Sequence, residues 1–206
     1  MLERVELYRG QRYHRVCVAG VIRDLPLVQV DEGLWIASNA GIIFGDIEFI
    51  SAAAKAMAEK LRPLRPDIII TPEAKAIAFA YEVAKLLDHR RLIVARKSIK
   101  AYMRDYLVEE AKSITTKERQ IMILSGEDAE EIAGKRVCIL DDVVSTGGTM
   151  NALERLVERA GEKPICKAAI WIEGPWYRGD LIYLGELPVF ATEDRLRALE
   201  RAITHS

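Results

Sequence analysis

The chain has 206 residues, 50% apolar and 30% charged, with 30 basic side chains against 31 acidic ones for a net charge of −1. That length supports one sizeable core and leaves little room for a second domain of normal size. The near-neutral charge argues against general nucleic-acid binding, which needs a basic footprint.

The charged start, Met1 to Gly10, lacks the apolar core of a signal peptide. Leu25 to Ser38 has strand character around Glu32-Gly33 and predicts a hairpin. The apolar stretch from Gly41 to Phe49 is broken by Asp46 and Glu48, which excludes a membrane span there. Ser51 to Leu61 is Ala-rich and helical, and Pro63 and Pro66 end it. Asp67-Ile-Ile-Ile-Thr71 is a short β-branched run, typical of a strand buried on both faces. Ala76 to Leu87 predicts a helix and Arg91 to Ala95 a strand. Arg96 to Gln120 is long, polar and weakly periodic, the pattern of a lid or a structureless segment. Val137 to Leu140 predicts a strand, Thr149 to Ala160 a helix capped by Gly161, and Pro164 to Ile172 a strand. Glu193 to Ala202 reads as an exposed helix. This alternation predicts an α/β fold with a mostly parallel sheet and helices on both faces. Ligands in such sheets bind beyond the carboxyl ends of the strands, so the loops after Ile70, Ala95 and Leu140 are the ones to inspect.

Cys17, Cys138 and Cys166 have no metal spacing and are too few for a disulfide framework. They are expected as small buried apolar residues in a reducing cytoplasm. His14, His89 and His205 form no ligand cluster, which disfavours zinc chemistry and a Ser-His-Asp site.

The sharpest motif is Leu140-Asp-Asp-Val-Val-Ser-Thr-Gly-Gly-Thr-Met150. A buried strand leads into two acids, then into a Gly-rich turn, then into a helix. The glycines let the backbone fold tightly, and the N–H groups of the turn and helix start make an anion site. Asp141 and Asp142 would repel a phosphate but suit sugar hydroxyls. The combination fits a phosphorylated sugar. It is not a Walker A loop, which needs Gly-Lys-Ser/Thr.

Val137 to Met150 resembles the 5-phosphoribosyl pyrophosphate (PRPP) motif of type I phosphoribosyltransferases. The adenine enzymes and their purine-salvage relatives, including the xanthine enzymes, are the closest in pattern, over roughly Asp67 to Phe190. Thr71-Pro-Glu-Ala-Lys-Ala-Ile77 resembles their Glu-Ala-Arg-Gly-Phe pyrophosphate loop. Ala95-Arg-Lys-Ser-Ile-Lys100 resembles their Arg-Lys-x-Gly-Lys segment. The resemblance implies a single phosphoribosyltransferase domain over residues 1–206. Residues 1–45 and 170–206 would supply a small hood and peripheral elements, and residues 96–120 a long flexible loop.

By the same resemblance, Asp141 and Asp142 would hold the ribose hydroxyls. Ser145, Thr146, Gly147, Gly148 and Thr149 would take the 5-phosphate. Mg²⁺ would be held by PRPP oxygens, with Asp141 and Asp142 reached through water. Glu73, Ala74 and Lys75 would form the pyrophosphate loop, or alternatively begin a helix with Glu73 near its positive end. Lys75 replaces the arginine of the adenine enzymes, keeping the charge but not the bidentate fork. Arg96, Lys97 and Lys100 suit a leaving pyrophosphate, or a solvated charge run. Lys75, Arg96, Lys97 and Lys100 are thus the expected catalytic set. Tyr102 and Tyr106 could cover the site or pack its hinge. Ile42, Ile43, Phe44, Trp171 and Glu173 are candidates for the base pocket, with core the better expectation for Phe44 and Trp171.

The adenine enzymes carry a Ser-Tyr…Glu-Tyr-Gly pattern where this chain reads Ser113-Ile-Thr-Thr-Lys-Glu-Arg-Gln120. Hypoxanthine-guanine enzymes place an Asp at Ser145, near the base N7, and serine lacks its basicity. No single side chain stands out as a general base. The implied reaction is displacement of pyrophosphate from PRPP by a purine, with adenine ahead of xanthine or hypoxanthine, in a cytoplasmic homodimer that binds neither membrane nor nucleic acid. The second reading is a PRPP-binding regulator of the same fold without turnover. An orotate-type enzyme is the third.

Overall fold

The computed structural model describes residues 2–101, 103–111 and 120–204. The amino end builds strands β1 (Val5–Leu7), β2 (Tyr13–Val18), β3 (Val21–Asp31) and β4 (Leu34–Ala37). The expected hairpin is present: β3 and β4 pair antiparallel, with Gly33 at a φ of +67° in the turn. Two helices follow, α1 (Ala40–Gly45) and α2 (Ile47–Leu61). Asp46 caps α2 by accepting from the Phe49 N–H at 3.0 Å. The same carboxylate accepts from Arg23 of β3 at 2.6 and 3.0 Å, which ties the hairpin to α2. This Arg23 contact, with the Phe49 N–H behind it, holds Asp46 below the usual carboxylate range.

The rest of the chain alternates. In order come β5 (Ile68–Pro72), α3 (Ile77–Leu86), β6 (Leu92–Ala95), β7 (Tyr106–Ala111), β8 (Gln120–Ser125), α4 (Gly126–Ile132), β9 (Val137–Val144) and α5 (Gly148–Arg159). Then follow β10 (Cys166–Glu173), β11 (Ile182–Leu187), β12 (Val189–Ala191) and α6 (Glu193–Thr204).

The central sheet has the order β11-β10-β9-β5-β6, and every neighbouring pair is parallel. Side chains alternate across it with the period of two that a strand imposes. Ile69, Cys138, Leu140 and Ile170 pack with Phe49, Met57, Phe79 and Val83 of α2 and α3. Ile68, Ile70, Ile139 and Ala169 pack with Leu153, Leu156 and Val157 of α5. Both faces are covered, which is why these strands read as unbroken apolar runs. A second sheet, β1-β12-β4-β3-β2, forms a hood beside the carboxyl ends of β9 and β5. Its strand β12 comes from the far end of the chain and runs between β1 and β4. The tail helix α6 is not a free exposed element, since Leu196 and Leu199 pack on Val5, Leu34 and Val189 of the hood.

Three expectations are corrected. Strand β9 continues through Val144, because its pairing with β10 runs on to Val144 opposite Ile172. Asp141 and Asp142 therefore lie inside the strand, not beyond it. Residues 96–120 are not structureless throughout: β7 and β8 pair antiparallel, and Arg96 bridges to Ile123. Tyr102 and the part of the Ser113–Gln120 stretch before Gln120 lie outside the described residues. The cysteines also differ from expectation. Cys17 is exposed, and Cys138 and Cys166 form a disulfide with their Cα atoms 4.9 Å apart. They stand opposite each other on β9 and β10, a register that sequence spacing does not reveal.

Candidate active site

The hood and the carboxyl ends of the central strands enclose two adjoining cavities, of about 200 and about 280 Å³. Ile36, Asp141, Val143, Thr149 and Glu173 line both.

Residues 145–149 lie at the smaller cavity. They turn the chain from β9 into α5, and Gly147 is the N-cap of that helix at a φ of +82°. A Cβ there would also meet the ring of Tyr177, so the turn needs glycine on two counts. No side-chain hydrogen bond caps α5. Its first N–H groups are left for an anion, with the helix dipole favouring one.

Asp141 is only 6% exposed, and its Oδ1 accepts the Asp142 backbone N–H at 2.8 Å. Burial first, and then the charge of Asp142, push its carboxyl well above the usual range, while the Lys97 ammonium opposes this. Among the described residues no cluster of three or more His, Cys, Asp and Glu side chains could hold a metal. The adjacent acids fit a cation whose other ligands come from a bound molecule.

The larger cavity is lined by Glu73, Ala74 and Lys75, between β5 and α3. Helix α3 begins at Ile77, so these residues precede the helix and do not start it. The Glu73–Ala74 peptide is cis. Glu73 accepts from Arg96 Nε and from the Lys97 N–H, each at 3.1 Å. The Lys97 N–H first, with Arg96 and the charge of Lys100 adding to it, holds Glu73 below its ordinary value. Lys75 and Lys97 line the cavity directly. Arg96 binds Glu73, and the charge of Lys100 acts on the same carboxylate.

The base-pocket candidates separate. Ile43 and Trp171 line the larger cavity, and Trp171 also stacks on Phe49 with ring centroids 5.3 Å apart. Ile42 is buried in the core. Phe44 belongs to neither core nor site; the short helix α1 leaves it 55% exposed. Tyr106 opens β7 and is exposed. Glu173, at the end of β10, is 7% exposed and its carboxyl is pushed up to about 7. Burial is the main cause; Asp142 adds to it, while the Ser145 hydroxyl and Lys75 oppose it. Sequence reasoning missed Ile36, Ser38 and Asn39 of the hood and Trp176, which complete the cavity walls. Only the unusual Glu173-Gly-Pro-Trp176 turn hinted at the last; Gly174 has a φ of +64° and the Trp176 ring packs where its Cβ would stand.

Comparison with known proteins agrees with this geometry. The Phosphoribosyl transferase domain family matches residues 45–181. Adenine phosphoribosyltransferase of Petrotoga mobilis is 30% identical over 132 residues, 61% of this chain and 73% of that protein. The Fervidobacterium nodosum enzyme of the same name is 32% identical over 162 residues, 73% of this chain and 88% of that protein. The crystal structure of adenine phosphoribosyltransferase from Thermoanaerobacter pseudethanolicus aligns with a TM-score of 0.61 at 18% identity, covering 85% of this chain and 95% of that one. Purine phosphoribosyltransferase from Pyrococcus horikoshii aligns with a TM-score of 0.52 at 26% identity, covering 68% and 84%. Family match and fold together place this chain among the type I phosphoribosyltransferases, near the adenine enzymes.

Proposed function

We propose that the protein transfers the 5-phosphoribosyl group of PRPP to adenine, giving AMP and pyrophosphate in purine salvage. The observation that carries this reading is the uncapped start of α5 at Gly147, directly downstream of two acids on one strand. Phosphate and sugar hydroxyls need those two environments side by side. Residues 145–149 would take the 5-phosphate, and Asp141 and Asp142 the ribose hydroxyls. Lys75 and Lys97, together with Arg96 and Lys100, would stabilise the leaving pyrophosphate, as positive charge placed where negative charge develops. Glu73 and Ala74 would shape that loop. Mg²⁺ would be held mainly by PRPP oxygens, with the acid pair acting through water, and would offset charge on the leaving group.

Adenine is favoured over xanthine and hypoxanthine because the curated relatives above bear that name. The cavity between the hood and Lys75 offers a purine apolar walls, Ile36, Ile43 and Trp171 among them. A single folding unit, a homodimer and a cytoplasmic location belong to the same reading. The test is pyrophosphate release from PRPP and Mg²⁺ with adenine, xanthine, hypoxanthine, guanine, uracil and orotate. Adenine should support the fastest release. Release with orotate alone would overturn the purine assignment. Tight PRPP binding with no release would make the chain a PRPP-sensing regulator.

A further inference from the structure

The first N–H groups of a helix have no partner inside it, so an anion at the start of α5 is gripped only while the turn before it keeps its shape. That turn is built on Gly147 and Gly148. Glycine permits the left-handed φ of +82° at Gly147, but it also makes the turn the loosest stretch of the site. The Gly147 carbonyl accepts the Asn151 N–H at 2.8 Å, so the set of this one residue carries into the helix start.

One aromatic ring restrains it. Tyr177 lies in the segment between β10 and β11, next to Trp176, which lines the smaller cavity. Tyr177 is 6% exposed and packs in one core cluster with Val144, Met150, Leu153 and Ile172. Its ring lies against Gly147, where a Cβ would overlap Cδ2 and Cε2. The far end of the ring meets another glycine: a Cβ at Gly179 would stand 2.6 Å from the hydroxyl oxygen. Gly179 is not among the glycines of positive φ, so what its missing side chain supplies is room for the ring. The Tyr177 hydroxyl makes no hydrogen bond to the turn. The ring is therefore the part of Tyr177 that bears on Gly147.

We propose that Tyr177 is a positioning residue for the phosphate: its ring, wedged between Gly147 and Gly179, holds the glycine turn in the shape that receives the anion. The inference rests on the phosphate reading of residues 145–149 proposed above and extends it to a side chain that acts only through Gly147. A turn ordered in advance by the fold loses less freedom when the ligand arrives, and binds it more tightly for that reason.

The experiment uses ribose 5-phosphate, which carries the phosphate and the ribose without the pyrophosphate. Pyrophosphate with Mg²⁺ is the second ligand. Calorimetry is done on the intact native chain and on Tyr177→Leu, Tyr177→Phe and Gly179→Ala, each well below its own Tm. Tyr177→Leu should weaken ribose 5-phosphate binding by about tenfold or more, the worth of a hydrogen bond to a charged group. Its pyrophosphate affinity should stay within about twofold of native. Tyr177→Phe keeps the ring and should bind ribose 5-phosphate within about twofold of native. Gly179→Ala crowds the ring from its far end and should weaken ribose 5-phosphate without altering the turn's own sequence. In steady-state kinetics Tyr177→Leu should raise KM for PRPP and leave KM for adenine unchanged.

Native ribose 5-phosphate affinity in Tyr177→Leu or in Gly179→Ala would overturn the proposal. So would a Tyr177→Phe variant as weak as Tyr177→Leu, which would move the effect to the hydroxyl. Equal loss of ribose 5-phosphate and pyrophosphate would also overturn it, since that is the mark of general damage to the fold. Should Tyr177→Leu not fold, Gly179→Ala and Tyr177→Phe decide. Native protein that binds neither ribose 5-phosphate nor PRPP would instead refute the phosphate site itself, and the positioning role with it.

Discussion

Glu73 joins two loops of the site: one carboxylate oxygen accepts from both the Arg96 side chain and the Lys97 backbone N–H, each at 3.1 Å. The loop after β5 thereby sets the position of the loop after β6. The Arg96 side chain and the Lys97 backbone thereby gain fixed positions, which supports the proposed pyrophosphate site over a solvated charge run.

Glu73→Gln should therefore harm catalysis more than stability. Both partners are about one-third exposed, and ion pairs of that kind contribute about 0–1 kcal/mol. Misplacement of the two cations should lower kcat on the order of tenfold to a hundredfold. Thermal melting and steady-state kinetics on the same preparation check this. A large drop in Tm with unchanged kcat would show a structural role instead.

Asp141→Asn should keep the fold and weaken PRPP binding. The Asp141 carboxyl is raised by burial and by Asp142, so its charge is a burden to the folded state at neutral pH. Removing that charge should leave Tm equal or higher. Losing the charged acceptor for a ribose hydroxyl should cost about 1–3 kcal/mol of affinity. Titration calorimetry with PRPP and Mg²⁺ reads it directly, and unchanged affinity would take Asp141 out of the ribose site.

Gly147→Ala should damage both fold and binding. The substitution forces a side chain into a left-handed conformation and against the Tyr177 ring. The backbone strain alone is on the order of 1–3 kcal/mol. The reshaped loop should lose PRPP affinity by more than about tenfold, one hydrogen bond's worth or more. Native affinity in this variant would show that the loop tolerates another shape and does not grip the phosphate.

Glu173 gives a stability signature with a defined sign. Its folded value near 7 lies above the ordinary glutamate value of 4.5. Its contribution to stability is therefore fully present below about 4.5 and is lost as pH rises through about 7. Glu173→Gln should be more stable than native protein at pH 8, by roughly 3 kcal/mol, with the advantage vanishing in acid. Chemical denaturation at pH 5 and pH 8 measures it. Equal stability at both would mean that Glu173 is not held in a desolvated place.

The fold was legible in the sequence because its central strands are buried on both faces. Ile68 to Ile70 and Val137 to Leu140 have no polar face to interrupt the apolar run. The turn from β9 into α5 was legible too, since Gly147 and Gly148 follow Asp141 and Asp142 at a spacing set by local turn geometry. The hood was only half visible. Its hairpin at Gly33 is local, but β12 inserts between β1 and β4 from the other end of the chain, which no local pattern records. The cavity walls at Ile36, Ser38 and Trp176 and the pairing of Cys138 with Cys166 share that dependence on tertiary register. Glu173 was visible as a candidate, but its elevated proton affinity arises from burial that sequence does not show.

The most direct test of the whole account is a crystal structure of the protein with PRPP and Mg²⁺. The account predicts the 5-phosphate on the backbone of residues 145–149, the ribose hydroxyls on Asp141 and Asp142, and the pyrophosphate between Lys75 and Lys97. PRPP bound with its pyrophosphate on residues 145–149, or away from Asp141 and Asp142, would contradict it.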